Sequence, residues 1–206
     1  LTAILVIIPL YFIKFQNFYF IILLYFLNLL FEVKKKYRNL LLSLVFLVSL
    51  PILYFFFDPL LAALDFYRGA LYKEDGGNIT EYQKLTGAED LIKSSITAFP
   101  YFLLKPFPWE ATNPFQTIQS YENIFVAIFL ILFTSKSYFQ SSSITFKWLI
   151  FFIFTITIYG ITVYNFGTSA RYRYPLIVIY VIGLTYDLFK NKDYRFKNIF
   201  KKTSSY

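Results

Sequence analysis

WLIFFIFTITIYGITVY, residues Trp148–Tyr164, carries no charged side chain. An apolar stretch of about 20 residues crosses the roughly 30 Å hydrocarbon core of a bilayer as a helix, and this one comes close to that length. Leu40–Phe57 is likewise uncharged, and Pro175–Phe189 is apolar apart from Asp187 near its end. Ile124–Phe133 is shorter, but it extends backwards through Tyr121 and Glu122 if its helix starts in the interface. The region Leu1–Phe31 is apolar but interrupted by Lys14, Gln16 and Asn17. As one helix at about 1.5 Å per residue it would overreach the core, so it reads as two spans, the first one truncated. The expectation is an all-α integral membrane protein with about six transmembrane helices, forming a single membrane domain over residues 1–206.

Composition agrees. The 206 residues are 57% hydrophobic, 23% aromatic and 16% charged, with a mean hydropathy of +0.53. A soluble domain of this size has too little interior for so many Phe, Tyr, Ile and Leu side chains. The chain has no Cys and no His. Disulfide frameworks, thiolate zinc sites, iron–sulfur clusters and His-based triads are therefore excluded, and neither a cofactor nor a metal is expected. Catalysis would have to rest on Asp, Glu, Arg, Lys, Tyr or Ser. There is no Met either, and the sequence opens inside an apolar run with no basic n-region. Those features lead us to expect the C-terminal part of a longer membrane protein rather than a signal peptide.

Orientation follows from the Lys and Arg residues. The cluster Lys34-Lys35-Lys36-Tyr37-Arg38 follows a span directly, and the tail 190–206 carries Lys190, Lys192, Arg195, Lys197, Lys201 and Lys202. Both fall in the cytoplasm if an even number of spans separates them, and the four firm segments supply it. The Ser135–Lys147 connection is then inside, the C-terminus is cytoplasmic, and the segment 58–123 forms a long extracytoplasmic loop. The net charge of +8 is thus read as membrane orientation, and nucleic acid is not an expected partner.

Loops as long as 58–123 are usually functional or disordered, and this one has the marks of order. Asp58-Pro59 reads as an N-cap followed by Pro at the first helical position. Leu60, Leu61, Leu64 and Leu71 then keep roughly helical spacing up to Gly76-Gly77. Thr86-Gly87-Ala88-Glu89 fits a capping box, with Leu91, Ile92, Ile96 and Phe99 following before Pro100. Two amphipathic helices near Pro59–Leu71 and Gly87–Phe99 are expected on the outer membrane face, where the plainer reading is that they only cover the bundle. Asn78-Ile79-Thr80 matches a glycosylation sequon, Asp187 reads as interfacial, and Gly160 reads as a helix-packing residue.

Two stretches carry candidate chemistry. In FPYFLLKPFPWE (Phe99–Glu110), three prolines argue against a regular helix while the aromatics call for burial or an interface. Trp109 reads either as an aromatic-belt anchor or as a binding residue. Glu110 is a carboxylate on a rigid aromatic turn, or simply an exposed Glu. In NFGTSARYRYP (Asn165–Pro175), Arg171 and Arg173 lie on the expected outer side, against the positive-inside bias. Arginine offers a planar fork for phosphate. In an extended segment, which Pro175 favours for Tyr174, residues i and i+2 point the same way. The alternative is that both arginines snorkel to lipid headgroups.

These stretches, together with Tyr121-Glu122 opening a span, resemble bacterial polytopic proteins of surface-polysaccharide clusters: the O-antigen or capsule repeat-unit polymerases and the multi-span, lipid-phosphosugar-dependent glycosyltransferases. The similarity covers roughly the C-terminal two thirds of the chain. It implies glycosyl transfer or polymerisation in the bacterial inner membrane, using polyprenyl-phosphate-linked sugars, alongside other polysaccharide-assembly membrane proteins. It further implies Glu110 as the catalytic general base on the acceptor hydroxyl. Arg171 and Arg173 would meet the diphosphate, and Trp109 and Tyr172 would stack on sugar rings. Two rival readings stay open. A transporter or flippase of lipid-linked sugars would call for ionisable groups within the spans, which are nearly free of them. A non-catalytic membrane assembly subunit would present an exposed apolar outer loop to a partner.

Overall fold

The computed structural model describes residues 15–33, 35–72, 82–163 and 166–203. The described residues are overwhelmingly helical, and no strand occurs among them. Among the described residues six helices follow one another: α1 (Phe15–Glu32), α2 (Lys35–Tyr72), α3 (Ala88–Leu104), α4 (Pro114–Gln140), α5 (Ser142–Thr162) and α6 (Phe166–Thr203). Among the described residues, α4 and α5 are each long and apolar enough to cross a membrane. A third span results if the two halves of α2, Tyr37–Pro51 and Tyr54–Ala70, count as one bent helix. These are the helices of a membrane protein. The expected first span, the Gly76-Gly77 breaker and the Asn78 sequon lie outside the described residues.

The chain divides into two units, Leu1–Phe57 and Asp58–Tyr206. The described part of the first holds α1 and α2 up to Phe57. In it Phe20, Leu27 and Leu30 are buried, while Leu40, Leu42, Leu44, Phe46 and Leu47 are exposed. That is the outward apolar surface expected where lipid, not water, is the solvent.

Several predicted boundaries move. Asp58-Pro59 does not open a helix, because α2 is already helical there and bends instead between Pro51 and Tyr54. Pro51 has no N–H, and its ring crowds the carbonyl four residues back, which is the usual cause of such a bend. Ser135–Lys147 is no open connection either. α4 runs to Gln140, and Ser141 alone interrupts the helix. Its N–H donates to Ser137 O at 3.0 Å, and its carbonyl accepts from the N–H and the hydroxyl of Thr145 at 3.1 and 2.9 Å. One residue therefore closes α4 and starts α5.

The second unit is built on α5. Half of its apolar window is buried, against 17% for α4, so α5 is the central helix while α4 turns Phe125, Ile128, Ile131 and Leu132 outward. α5 packs against α3, α4 and α6. Two glycines set how closely. A Cβ on Gly160 would stand 2.5 Å from the Ala98 carbonyl oxygen of α3, and one on Gly183 of α6 would stand 2.0 Å from the Trp148 indole. Gly160 is thus the packing residue its sequence context suggested. α3 lies against α5 rather than only on a membrane face, with Ala98, Phe102 and Leu103 buried and Ile92 and Ile96 exposed.

Side-chain pairs fix the directions of the helices. α6 meets α5 through Tyr172 on Tyr159, Tyr180 on Phe152, and Asp187 with Lys147 and Trp148. Rising numbers on one helix match falling numbers on the other, so the two run antiparallel. α6 meets α4 at Arg173 with Asn123 and at Tyr180 with Thr134, so these two run parallel. One end of the bundle therefore holds Asn123, Tyr159 and Arg173. The other holds Lys147 and Asp187, about 21 Å along α6 at 1.5 Å per residue. Asp187, expected at the interface, forms an ion pair with Lys147 and accepts from the Trp148 indole N–H at 2.9 Å.

Candidate functional site

Everything at the Arg173 end starts from how α3 finishes. Pro100 does not stop it, and helix continues to Leu104. An internal proline removes one backbone donor, but burial of Phe102 and Leu103 returns about 1.5–3 kcal/mol per large side chain. The helix then ends with carbonyls that lack an intrahelical partner. Here four consecutive carbonyls are met from two other helices. Arg173 of α6 donates through one terminal nitrogen to Phe102 O at 3.1 Å and Leu103 O at 2.8 Å. Asn123 of α4 donates through Nδ2 to Leu104 O at 3.2 Å and Lys105 O at 3.0 Å. Arg173 and Asn123 also bond to one another, guanidinium to Oδ1, at 2.6 Å. Each is 1% exposed. A cation at the negative end of a helix dipole is favourable in its own right.

The turn after this clamp carries Glu110. A cis peptide joins Lys105 to Pro106. The Lys105 ammonium pairs with Glu110 Oε1 at 2.9 Å and lies 4.4 Å from the centre of the Tyr101 ring. Glu110 Oε2 accepts from the Phe107 N–H at 3.2 Å, and the Glu110 N–H donates to Phe107 O at 2.9 Å. Glu110 is part-exposed, and both of its carboxylate oxygens are held. Trp109, 79% exposed, stacks on Phe107 with ring centres 4.9 Å apart.

The Arg171–Arg173 segment departs from its sequence reading. It is not extended, because α6 begins at Phe166 and runs through Pro175. At 3.6 residues per turn, positions i and i+2 lie about 200° apart, so the two arginines face nearly opposite ways. Arg173 turns inward and is consumed by the α3 carbonyls and Asn123, while Arg171 is exposed. Tyr172 lies between them in direction, and its ring stacks on Tyr159 at 4.9 Å. The structure therefore joins Arg173 and Glu110 through Asn123 and Lys105. It leaves Arg171 exposed on the other face of the same helical turn and Trp109 exposed on the Lys105–Glu110 turn.

Sequence reasoning missed Asn123 and Lys105. Asn123 had one visible signal: it is an amide directly ahead of an apolar span, where a polar side chain calls for a partner. Among the described residues no group of three or more Asp or Glu could hold a metal ion.

Ahead of α3, residues 82–86 are tied to α2 by side chains. Asp65 Oδ1 accepts from Leu85 N–H at 2.9 Å, and Arg68 donates to Gln83 O at 3.1 Å. The expected capping box is shifted by one residue. Asp90, not Glu89, takes the Thr86 N–H at 3.0 Å and also the Thr86 hydroxyl, and Glu89 pairs with Lys93 at the surface. These donors, the hydroxyl first, hold the Asp90 carboxyl below the usual carboxylate range.

No known protein family, curated protein or solved structure matches the chain.

Proposed function

We propose that the chain belongs to a membrane-embedded glycosyl-transfer or polymerisation machine using polyprenyl-phosphate-linked sugars for a bacterial surface polysaccharide. It would sit in the inner membrane with six spans, the first truncated, and would work alongside other polysaccharide-assembly membrane proteins. In this reading residues 58–123 are extracytoplasmic, and the basic clusters, the Ser141 break and the C-terminus are cytoplasmic. The observation that carries the proposal is the meeting of the two chemistry-bearing motifs at one end of the bundle, with Arg173 bonded to the end of Phe99–Leu104. What supports the topology is that Lys147 and Asp187 occupy the opposite end, at the Ser141 break.

The roles then divide. Arg171, exposed, meets the diphosphate of the lipid-linked donor, and Arg173 builds the site instead of touching substrate. Glu110 takes the proton of the acceptor hydroxyl as that oxygen attacks the anomeric carbon, and the lipid diphosphate departs with the bonding pair. Arg171 stabilises the charge gathering on that leaving group. Trp109 and Tyr172 offer ring faces to sugars. A non-catalytic assembly subunit is the second reading, favoured by the engagement of both Glu110 oxygens in internal contacts. Polysaccharide output in a complemented deletion strain separates the two. At matched membrane levels, Arg171→Ala and Glu110→Gln should each lower output at least about 100-fold, whereas full output from both variants rejects the catalytic reading.

A further inference from the structure

We infer that Asn123, which no motif singles out, is a positioning residue that holds Glu110 in place through the backbone of the Lys105–Glu110 turn. The assignment of Glu110 as the base rests on the function proposed above; the positioning itself rests on geometry alone. Asn123 is the hinge of a continuous chain of contacts. Its Oδ1 accepts from Arg173 at 2.6 Å, and its Nδ2 donates to the Leu104 and Lys105 carbonyls. Lys105 is the residue whose ammonium holds Glu110 Oε1. The other Glu110 oxygen is held by Phe107, two residues further on. Both restraints on the carboxylate thus originate within two residues of a carbonyl that Asn123 fixes.

An amide is the side chain this position demands, since it must accept from a guanidinium on one side and donate to carbonyls on the other. Aspartate could satisfy Arg173 but would set a carboxylate against two carbonyl oxygens. Alanine leaves buried polar groups without partners on both sides. The consequence reaches further than stability, because displacements near 1 Å at a reacting group can cost about 100-fold in rate.

The native tryptophans supply the test. Trp109 is 79% exposed on the turn, and Trp148 is 6% exposed in the core, so acrylamide quenching of the full chain in lipid nanodiscs reads the turn against an internal reference. Asn123→Ala should shift the Trp109 quenching constant and leave the Trp148 component unchanged. Arg173→Lys, which keeps the charge but loses the fork, should shift it in the same direction, and it serves as the readout if Asn123→Ala fails to accumulate. In cells, Asn123→Ala should lower polysaccharide output about tenfold or more. It should add nothing in a Glu110→Gln background, where the contribution it positions is already gone. Wild-type Trp109 quenching in both variants overturns the inference, as does an equal fold-loss in the two backgrounds. A shifted Trp109 component combined with full output from Glu110→Gln keeps the positioning and rejects the role of Glu110 as base.

Discussion

Gly160→Ala adds one methyl group at a close contact between α3 and α5. The new Cβ would meet Ala98 O at 2.5 Å, Ala98 C at 2.9 Å and the Phe102 Cβ at 3.0 Å. Two of those three atoms are backbone, so no side-chain rotation relieves the clash. Carbon–oxygen contacts settle at about 3.3–3.6 Å, which means that α3 and α5 must part by about 0.8–1.1 Å. Overpacking of this kind costs about 1–3 kcal/mol. The gain in helix propensity from Gly to Ala offsets up to about 1 kcal/mol of it. A clash with backbone falls at the upper end of that range, so a net loss of about 2 kcal/mol is expected, and Gly160→Val should lose more. The displacement also carries Phe102, whose carbonyl is an Arg173 acceptor, so Trp109 quenching should move together with stability. The control without a clash is Gly87→Ala, where nothing lies within 4 Å and the backbone is extended (φ −169°); that change should cost only the N-cap preference for Gly over Ala, about 1 kcal/mol or less. Reversible unfolding in mixed micelles, with denaturing detergent as the titrant, measures both. Equal or higher stability of Gly160→Ala would refute the packing argument.

Other outcomes follow from the same contacts. Arg173→Ala leaves Phe102 O, Leu103 O and Asn123 Oδ1 without the guanidinium, and at about 1–3 kcal/mol for a buried polar group left unpaired it should destabilise by at least about 2 kcal/mol in the same unfolding assay, whereas the exposed Arg171→Ala should stay within about 0.5 kcal/mol. Asp90 has a lowered folded-state pKa, so its contribution is fully present above its unfolded value near 3.9 and is lost as pH falls through the lower folded value. Hydrogen exchange in the first turn of α3 should therefore quicken only below about pH 4, and Asp90→Asn should abolish that dependence. Because the chain has no cysteine, single cysteines report topology directly. One at Ser141 should resist impermeant thiol reagents in intact cells, one at Thr112 should react, and the reverse pattern would overturn the proposed orientation.

Helix was legible wherever one physical signal dominated. The uninterrupted apolarity of Trp148–Tyr164 marks a helix, and α5 covers it to Thr162; α4 instead starts well ahead of the expected Tyr121, at Pro114, because Asn113 Oδ1 caps it by accepting from the Gln116 N–H at 3.0 Å. Local signals misled where tertiary contacts outweighed them. Pro100 stops a helix in isolation, but the burial of Phe102 and the donors from Arg173 and Asn123 sustain α3 past it. Pro175 suggests extended chain, yet α6 absorbs it, and with the extended backbone went the shared direction of Arg171 and Arg173. That Arg173 serves a helix end could not be read from its neighbours, since its acceptors lie 70 and 71 positions away. Gly160 was legible as a packing residue, but its partner Ala98 was not.

Binding of a polyprenyl diphosphate to the full chain in nanodiscs, followed through Trp109 emission, tests the central claim most directly. The account predicts a saturable change with the diphosphate and none with the corresponding polyprenyl alcohol. Arg171→Ala should weaken binding at least about tenfold, in line with loss of a charged contact worth about 1.5–3 kcal/mol. Arg171→Lys should weaken it less, because it keeps the charge without the fork. No saturable change, or equal affinity in wild type and Arg171→Ala, would contradict it.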